Sequence, residues 1–166
     1  MLRRNPMVAG MSDFFIRAAT QSDSQTIVSL LRELAEYEEL LDRFSLTEDQ
    51  VTRDMLGAAC HCELVFVDGT AVGIAAWFWI YKSFGAACGV YVEDLYVQPQ
   101  FRGQGLGRAL LAHLAGKAHA VGGFMEWQVL DWNAPSIEFY KSLGACPRDN
   151  WINYRLMGEA LKRLAS

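Results

Sequence analysis

The chain has 166 residues, of which 52 % are hydrophobic and 20 % charged, a composition typical of one globular domain and not of a disordered chain. Its net charge of −4 gives no basic excess to neutralise phosphates, so no nucleic acid is expected as a partner. No apolar run reaches the roughly 18 residues of a membrane span, and the N-terminus lacks the apolar stretch of a signal peptide. We therefore expect a cytoplasmic protein with no membrane partner.

The first predicted elements are a strand and a helix. A second methionine, Met11, precedes them, so residues 1–12 are predicted as a disordered extension and residues 13–166 as the domain. The stretch 14–20 predicts the strand. Behind a Ser/Asp cap, apolar residues at helical spacing predict the helix. These residues are Ile27, Leu30, Leu31, Leu34 and Tyr37.

A second helix and a β-hairpin follow. Thr47 and Gln50 match a capping box, which predicts a short helix from Thr47 onward. The stretch 62–80 contains two apolar runs on either side of Asp68-Gly69. Because a tight two-residue turn requires positive φ, this pair predicts a hairpin.

The second half of the chain alternates strands and helices, which completes an α/β (α+β) fold with one mixed sheet flanked by helices. Asn133 is the predicted cap of the helix near the C-terminus, and Gly144 is its predicted stop. The predicted elements are a strand over 90–97 ended by Pro99, a helix over about 105–120, a strand over 124–130, a helix over 133–144 and a last strand over 151–157.

The four cysteines, at positions 60, 62, 88 and 146, include no C-x-x-C pair. Neither a zinc site nor a disulfide framework is therefore predicted, and we expect reduced thiols and no bound metal. Cys60, His61 and Cys62 alternate along the start of a strand, so their side chains are expected to diverge.

The sequence RGQGLGR, from Arg102 to Arg108, joins a predicted strand to a predicted helix. Backbone N–H groups at a helix start lack partners and carry partial positive charge, so this turn predicts a site for phosphate, in particular pyrophosphate. A plain flexible entry into the helix is the alternative. The G-K-[ST] sequence of a Walker loop is absent, which excludes that kind of phosphate site. A dinucleotide-binding turn follows the first strand of a βαβ unit, whereas this turn follows the fourth predicted strand, so that fold is excluded as well.

Three ordered blocks of the sequence carry a family resemblance. VEDLYVQPQFRGQGLGRALL resembles the R/Q-x-x-G-x-G/A signature of the GCN5-related N-acetyltransferases (GNAT), with Arg102, Gly105 and Gly107 at the signature positions. FFIRAATQSDSQTIVSLLRELAEYEE and DWNAPSIEFYKSLGA extend the resemblance to the spermidine/spermine (diamine) acetyltransferase branch. The resemblance implies the GNAT fold, with a mostly antiparallel sheet, acetyl-CoA as co-substrate, a small-molecule amine as acceptor and a homodimer.

The resemblance also implies the residues that bind acetyl-CoA. The backbone of the fourth strand is expected to pair with the pantetheine arm as an added strand would. The glycine turn is expected to hold the pyrophosphate, and a segment after the fifth strand is expected to touch the coenzyme. The implied residues are Leu95, Tyr96, Val97, Arg102, Gly103, Gln104, Gly105, Leu106, Gly107, Arg108, Asn133, Ala134, Pro135 and Ser136.

Acetyl transfer requires a base for an ammonium of pKa about 10.4, a donor for the thioester oxygen and an acid for the thiolate. In the resembled family a tyrosine at the position of Tyr140 lies near the coenzyme sulfur, which makes Tyr140 the candidate acid. Packing on an amphipathic helix is its alternative role. Glu93 is the candidate base, acting through water, and a solvent-facing or sheet-edge position is its alternative. Asp94 adds negative charge for a cation.

Further positions are implied on the substrate side. Tyr37 and Glu38 match substrate positions, although they also fit a solvated helix end. Glu126, Trp127 and Gln128 are implied on the opposite wall.

One departure from the branch concerns the substrate. Polyamine acetylators of the branch carry an acidic residue where this chain has Lys82, and near the C-terminus only Asp149 remains of a richer acidic pattern. A lysine would repel a polycation, so an amine that bears its own carboxylate, such as a lysine analogue, fits better than spermidine.

Two other functions remain open at this point. A protein or peptide N-acetyltransferase would use the same coenzyme cradle with an open groove. A regulator that binds acyl-CoA without catalysis would also use it. The presence of both Glu93 and Tyr140 favours the enzyme.

Overall fold

A five-stranded mixed sheet organises the first part of this computed structural model, which describes residues 13–57, 59–148 and 152–166. The strands lie in sequence order, with antiparallel pairing from β1 to β4 and parallel pairing of β4 with β5. The mixed, mostly antiparallel sheet predicted from the sequence is confirmed. The strands are β1 Phe14–Ala18, β2 His61–Val67, β3 Thr70–Lys82, β4 Ala87–Val97 and β5 Phe124–Trp127.

Three helices accompany this sheet. The predicted first helix, the short second helix and the helix after the glycine turn are all confirmed. The second helix begins with the predicted Thr47–Gln50 capping box and continues as a π-helical turn over Val51–Met55. The helices are α1 Ser24–Tyr37, α2 Glu48–Gln50 and α3 Leu106–Ala120.

The predicted hairpin joins β2 to β3 through Asp68 and Gly69. Their φ angles are 48° and 78°, and Val67 pairs directly with Thr70. Two consecutive positive φ values give the twist that a two-residue hairpin turn requires. The local sequence therefore determines the pairing register of these two strands.

The two faces of the sheet have different coverings. Leu64, Phe66, Ile74 and Tyr96 belong to a buried cluster with residues of α1 and with Val51 of the π-helical turn. The other face is covered by α3, whose buried side chains recur at helical spacing. Each fully buried aliphatic side chain contributes about 1.5–3 kcal/mol to folding. The buried residues of α3 are Leu106, Leu110, Leu111, Leu114 and Ala118.

A β-bulge interrupts β4 at Glu93. Asp94 pairs with Ala76 and Val92 pairs with the next residue of β3, Trp77, so Glu93 is the extra residue. A bulge changes which side chains share a face of a strand. Strict alternation through VEDLYV, which the sequence predicts, is therefore broken in the middle of the candidate site.

The described residues divide into two compact units, one within Met1–Gln128 and the other within Val129–Ser166. The second unit contains α4, Ala134–Ser142, and α5, Gly158–Ala165. The Asn133 side chain accepts a hydrogen bond from the Ser136 amide at 3.3 Å, as the predicted cap requires. The predicted stop at Gly144 is also confirmed, because its φ is 86°.

Two predictions for the later elements are wrong. Strand β5 ends at Trp127, so residues 128–130 do not extend it. Residues 152–157 form no strand, although Ile152, Tyr154 and Leu156 alternate as a strand would, because the described sheet ends at β5 and offers them no pairing. Helix α5 was not predicted.

Some predictions cannot be compared with the structure. The N-terminal extension predicted over 1–12 lies outside the described residues, as do Asp149 and Trp151. Within the described part of the chain, no helix has the length and apolarity needed to cross a membrane.

Candidate active site

The glycine turn forms a corner between β4 and α3, which we call the glycine corner (Arg102–Gly105). Gly103 and Gly105 have φ angles of 75° and 79°, and Gly105 is the N-cap of α3. A Cβ at Gly103 would meet no atom within 4 Å, so its positive φ, and not crowding, is what favours glycine there. The corner presents the first amides of α3, whose partial positive charge suits an anion.

Arg102 is anchored to protein groups at the start of the corner. Its Nε donates a hydrogen bond to the Val97 carbonyl at 2.9 Å. Its guanidinium lies 4.6 Å from the ring centre of Tyr37 and 5.5 Å from that of Tyr96. These contacts tie the corner to β4 and to the C-terminal end of α1.

Strand β4 is paired on one side only next to the corner. Its ladder with β5 runs from Gly89 to Val92, whereas its ladder with β3 continues to Val97. In the part of the chain that the structure describes, the β5 side of Leu95–Val97 has no neighbouring strand. An open strand edge of this kind pairs with extended ligands, as the family resemblance implies for the pantetheine arm.

Asp94 is a partly buried carboxyl group on the face of the sheet that α1 covers. Burial, together with the charges of Glu93 and Glu38, raises the pKa of Asp94 to about 7. Burial also raises the pKa of Glu38, which follows α1 directly. Glu93, by contrast, is exposed at the bulge. A carboxyl group with a pKa near 7 is suited to accepting a proton near neutral pH, which makes Asp94 a candidate proton acceptor.

Further charged groups line the same face towards β5. Lys82 Nζ lies 2.7 Å from Glu126 Oε2, and Glu126 pairs in register with Tyr91. Burial, followed by the charges of Glu93 and Glu126, raises the pKa of Tyr91. The remaining predicted residues of this wall, Trp127 and Gln128, end β5 and follow it.

The other predicted residues lie in the second unit. Asn133 is buried at the N-cap of α4, and Ala134, Pro135 and Ser136 form the first turn of this helix. Tyr140 is half-buried on the same helix, with its ring 5.4 Å from that of Phe139.

Two features of the site were missed from the sequence. Glu33 on α1 accepts hydrogen bonds from Tyr96 Oη at 3.1 Å and from Gln98 Nε2 at 3.0 Å, which joins α1 to the end of β4. The second is the ion pair between Lys82 and Glu126. From the sequence alone, Lys82 is only a charge that repels a polycation. Neither contact has a local signal, since each joins residues more than 40 positions apart in the chain.

Comparisons with known proteins bear on this site. A family model described as the acetyltransferase (GNAT) family matches residues 25–145. The chain is 34 % identical over 169 residues to the thialysine N-epsilon-acetyltransferase of Sus scrofa, with 93 % of this chain and 99 % of the relative covered. It is 31 % identical over 168 residues to the human spermidine/spermine N(1)-acetyltransferase-like protein 1, with 93 % of this chain and 24 % of the relative covered.

A solved structure matches over a similar length. An integron cassette protein from Vibrio cholerae superposes with a TM-score of 0.78 at 25 % identity, and the match covers 94 % of this chain and 99 % of the other. These matches show that the chain belongs to the acetyltransferase (GNAT) family, with which its mixed sheet and glycine corner agree. The protein is an acetyltransferase. The predicted family and its diamine acetyltransferase branch are confirmed. Members of this family use acetyl-CoA as co-substrate.

Proposed function

We propose that the protein transfers the acetyl group of acetyl-CoA to the side-chain amine of a small amino acid related to lysine. The observation that carries this proposal is the arrangement of β4, which bears Glu93 and Asp94 and then leads into the glycine corner. A cationic acceptor and an anionic acyl donor would thus meet along one strand. The end-to-end similarity to a thialysine acetyltransferase supports the substrate class.

The donor is proposed to bind along β4 and the corner. The pyrophosphate would be held by the amides of Gly103, Gln104, Gly105, Leu106, Gly107 and Arg108. The pantetheine arm would pair with the edge of β4 at Leu95, Tyr96 and Val97, next to which the described residues provide no strand. Because contacts with Val97 and Tyr37 hold the Arg102 side chain in place, Arg102 would stabilise the conformation of the corner and also add positive charge. The family resemblance adds Asn133, Ala134, Pro135 and Ser136 as further coenzyme contacts.

The reaction is proposed to be a direct attack. The amine first loses a proton to one of two carboxyl groups that are neighbours on β4: Asp94, whose pKa of about 7 supports this role, or Glu93, which would act through water. The amine nitrogen then bonds to the thioester carbon, and the C–S bond breaks. The departing thiolate takes a proton from the Tyr140 phenol, whose reference pKa near 10 suits an acid, and the second proton that the nitrogen loses on forming the amide returns to the Tyr140 oxygen. A backbone amide of Leu95–Val97 would polarise the carbonyl.

The acceptor is proposed to lie against the charged face of the sheet. Tyr37 and Glu38 would border it from the end of α1, and Trp127 and Gln128 from the end of β5. The partly buried carboxyl groups of Asp94 and Glu38 lie near enough for the charge of Glu38 to raise the Asp94 pKa. Such a pair favours a cation because either carboxylate gains a counter-charge when the amine binds.

We also propose that the protein is a cytoplasmic homodimer. Ile152, Tyr154 and Leu156 alternate with polar residues in the sequence and are exposed, Tyr154 to 92 %. Large apolar side chains in this arrangement are typical of a subunit interface. Light scattering coupled to size-exclusion chromatography tests this, and a monomer at micromolar concentration would contradict it.

An amine panel tests the proposed reaction. Purified protein is incubated with acetyl-CoA and, in turn, thialysine, L-lysine, L-ornithine, spermidine and a peptide with a free N-terminus, and release of free thiol is measured. We expect the fastest release with the lysine-like amino acids. Faster turnover of the peptide would indicate a protein N-acetyltransferase, and binding of acetyl-CoA without turnover of any amine would indicate a regulator.

A further inference from the structure

The charged groups Lys82 and Glu126 lie on the same sheet face as Asp94. Asp94 pairs with Ala76 on β3, and side chains two residues apart on a strand share a face, so Phe78 and Lys82 lie on the face of Ala76. Glu93, the bulged residue, has no partner on β3, so the residue that pairs with Phe78 is Tyr91. The rings of Phe78 and Tyr91 stack, with centroids 5.0 Å apart.

Strand β5 adds the second charge to this face. Glu126 pairs in register with Tyr91, and Lys82 Nζ reaches Glu126 Oε2 at 2.7 Å. The bulge at Glu93 thus places a Lys–Glu pair and the Asp94 carboxyl group on one side of the sheet, separated by a pair of stacked rings.

The pair is accessible enough to exchange partners. The Lys82 side chain is 46 % exposed and that of Glu126 is 21 % exposed. An ion pair that is this accessible to water adds little to stability. A ligand with both an ammonium and a carboxylate offers a new counter-charge to each member of the Lys82–Glu126 pair. Separating the pair to bind such a ligand therefore leaves neither side chain unpaired.

The geometry points to one kind of ligand head group. We propose that Lys82 and Glu126 bind the α-amino-acid head of the acceptor, with the α-carboxylate on Lys82 and the α-ammonium on Glu126. This inference rests on the proposed function. A diamine offers Glu126 an ammonium but leaves Lys82 without a counter-charge, so the pair selects amino acids over their decarboxylated analogues.

The spacing along β4 suits a lysine-like side chain. Asp94 and Tyr91, the partner of Glu126, pair with Ala76 and Phe78. These two residues of β3 are two positions apart, a span of about 7 Å at roughly 3.3 Å per residue. Acidic and basic side chains at both ends shorten the gap that the ligand has to bridge. An extended chain of four or five atoms between the head group and the second amine therefore leads from Glu126 towards Asp94.

Two substrates that differ only in the carboxylate test the inference. Thialysine and bis(2-aminoethyl) sulfide, which is thialysine without its carboxylate, are compared with the wild-type protein and with Lys82→Met. We expect the wild type to prefer thialysine by about tenfold or more in kcat/KM. Lys82→Met should abolish this preference through a higher KM for thialysine, with the diamine unchanged or improved. Glu126→Gln should raise the KM of both substrates.

Lys162→Met is the matched control, since Lys162 also pairs with a glutamate, Glu159 at 2.6 Å, on an exposed helix. It should leave the preference unchanged. Equal losses for both substrates in Lys82→Met, or a wild type without preference, would overturn the inference. If wild-type protein acetylates neither amine, the proposed function fails. Calorimetric binding of the two compounds then decides the inference, with tighter, Lys82-dependent binding of thialysine supporting it and equal binding refuting it.

Discussion

The guanidinium of Arg102 lies 4.6 Å from the ring centre of Tyr37 while its Nε donates a hydrogen bond to the Val97 carbonyl. One side chain therefore connects the end of α1, the end of β4 and the beginning of the glycine corner. The amides of the corner depend on the positive φ angles of Gly103 and Gly105. An anchor at Arg102 fixes their direction before a ligand arrives, which reduces the ordering that binding requires.

The first prediction concerns this anchor. Arg102→Lys retains the charge but loses the Nε donor and the planar group that stacks on Tyr37. We expect the KM for acetyl-CoA to rise about tenfold, equivalent to roughly 1.4 kcal/mol, with kcat little changed. Arg53→Lys is the control, because Arg53 forms an exposed ion pair with its sequence neighbour Asp54. If both variants have the same KM, Arg102 contributes only charge or nothing to coenzyme binding.

The second prediction identifies the proton acceptor from the pH dependence of kcat/KM. If Asp94 accepts the proton, kcat/KM should rise with an inflection near pH 7 and level off above it, because the carboxyl group must first lose its own proton. Asp94→Asn should lower kcat/KM by roughly 100-fold or more. Glu93→Gln removes a negative charge that raises the Asp94 pKa, so the inflection should move to lower pH, with a smaller loss of kcat/KM than in Asp94→Asn.

Glu38→Gln should shift the inflection in the same direction, because Glu38 also raises the Asp94 pKa. The opposite pattern, in which Glu93→Gln abolishes the activity and Asp94→Asn retains it with an unchanged profile, would make Glu93 the base, as the family resemblance implies.

The third prediction concerns stability. The folded-state pKa of Asp94 is raised from 3.8 to about 7, so the folded state favours the protonated form. This contribution to stability is full below about pH 4 and is lost as pH rises through 7. At pH 8, Asp94→Asn should therefore be more stable than the wild type by about 1–2 kcal/mol, measured by urea denaturation. At pH 4 the difference should be small, and a variant less stable at pH 8 would contradict the assignment.

Local signals in the sequence were sufficient for much of the fold. The Asp68-Gly69 turn, the Thr47 capping box and the Asn133 cap are each determined by residues within four positions of one another, and all three are present. Helix α5 was missed although Leu161 and Leu164 have helical spacing.

Features that depend on distant pairing could not be read from the sequence. The alternation of VEDLYV is the same with or without a bulge at Glu93, and only the register with β3 reveals it. The Lys82–Glu126 contact arises because β4 brings β3 and β5 together. The segment 152–157 has a strand-like pattern but no strand partner in the described sheet, and pairing, not pattern, is what makes a strand.

The fourth prediction concerns Tyr140 as the proposed acid. Tyr140→Phe removes the hydroxyl group and keeps the ring, so packing on α4 should be preserved. We expect kcat to fall roughly 100-fold or more, with the dissociation constant of acetyl-CoA unchanged by calorimetry. Phe139→Leu is the structural comparison, since Phe139 contacts the Tyr140 ring. A wild-type kcat in Tyr140→Phe would exclude the phenol as the acid.

The last prediction concerns a buried charge on the opposite face of the sheet, where Glu63 on β2 is paired with α3. The Glu63 side chain is only 3 % exposed, and its oxygens lie 3.2 Å from Lys117 Nζ and 3.3 Å from His113 Nε2. Burial raises the pKa of Glu63, but His113 and Lys117 together outweigh this effect and hold the pKa below its usual value. A buried carboxylate therefore depends on two partners from one helix.

Lys117→Met keeps most of the aliphatic stem and removes the charge, which leaves Glu63 with His113 alone. We expect a loss of roughly 1–3 kcal/mol in the free energy of unfolding at pH 7, whereas Lys162→Met, at an exposed pair, should change it by less than about 0.5 kcal/mol. Glu63→Gln added to Lys117→Met should recover part of the loss, because an amide is easier to bury than an unpaired charge. If Lys117→Met is no more destabilising than Lys162→Met, the ammonium does not stabilise the Glu63 carboxylate.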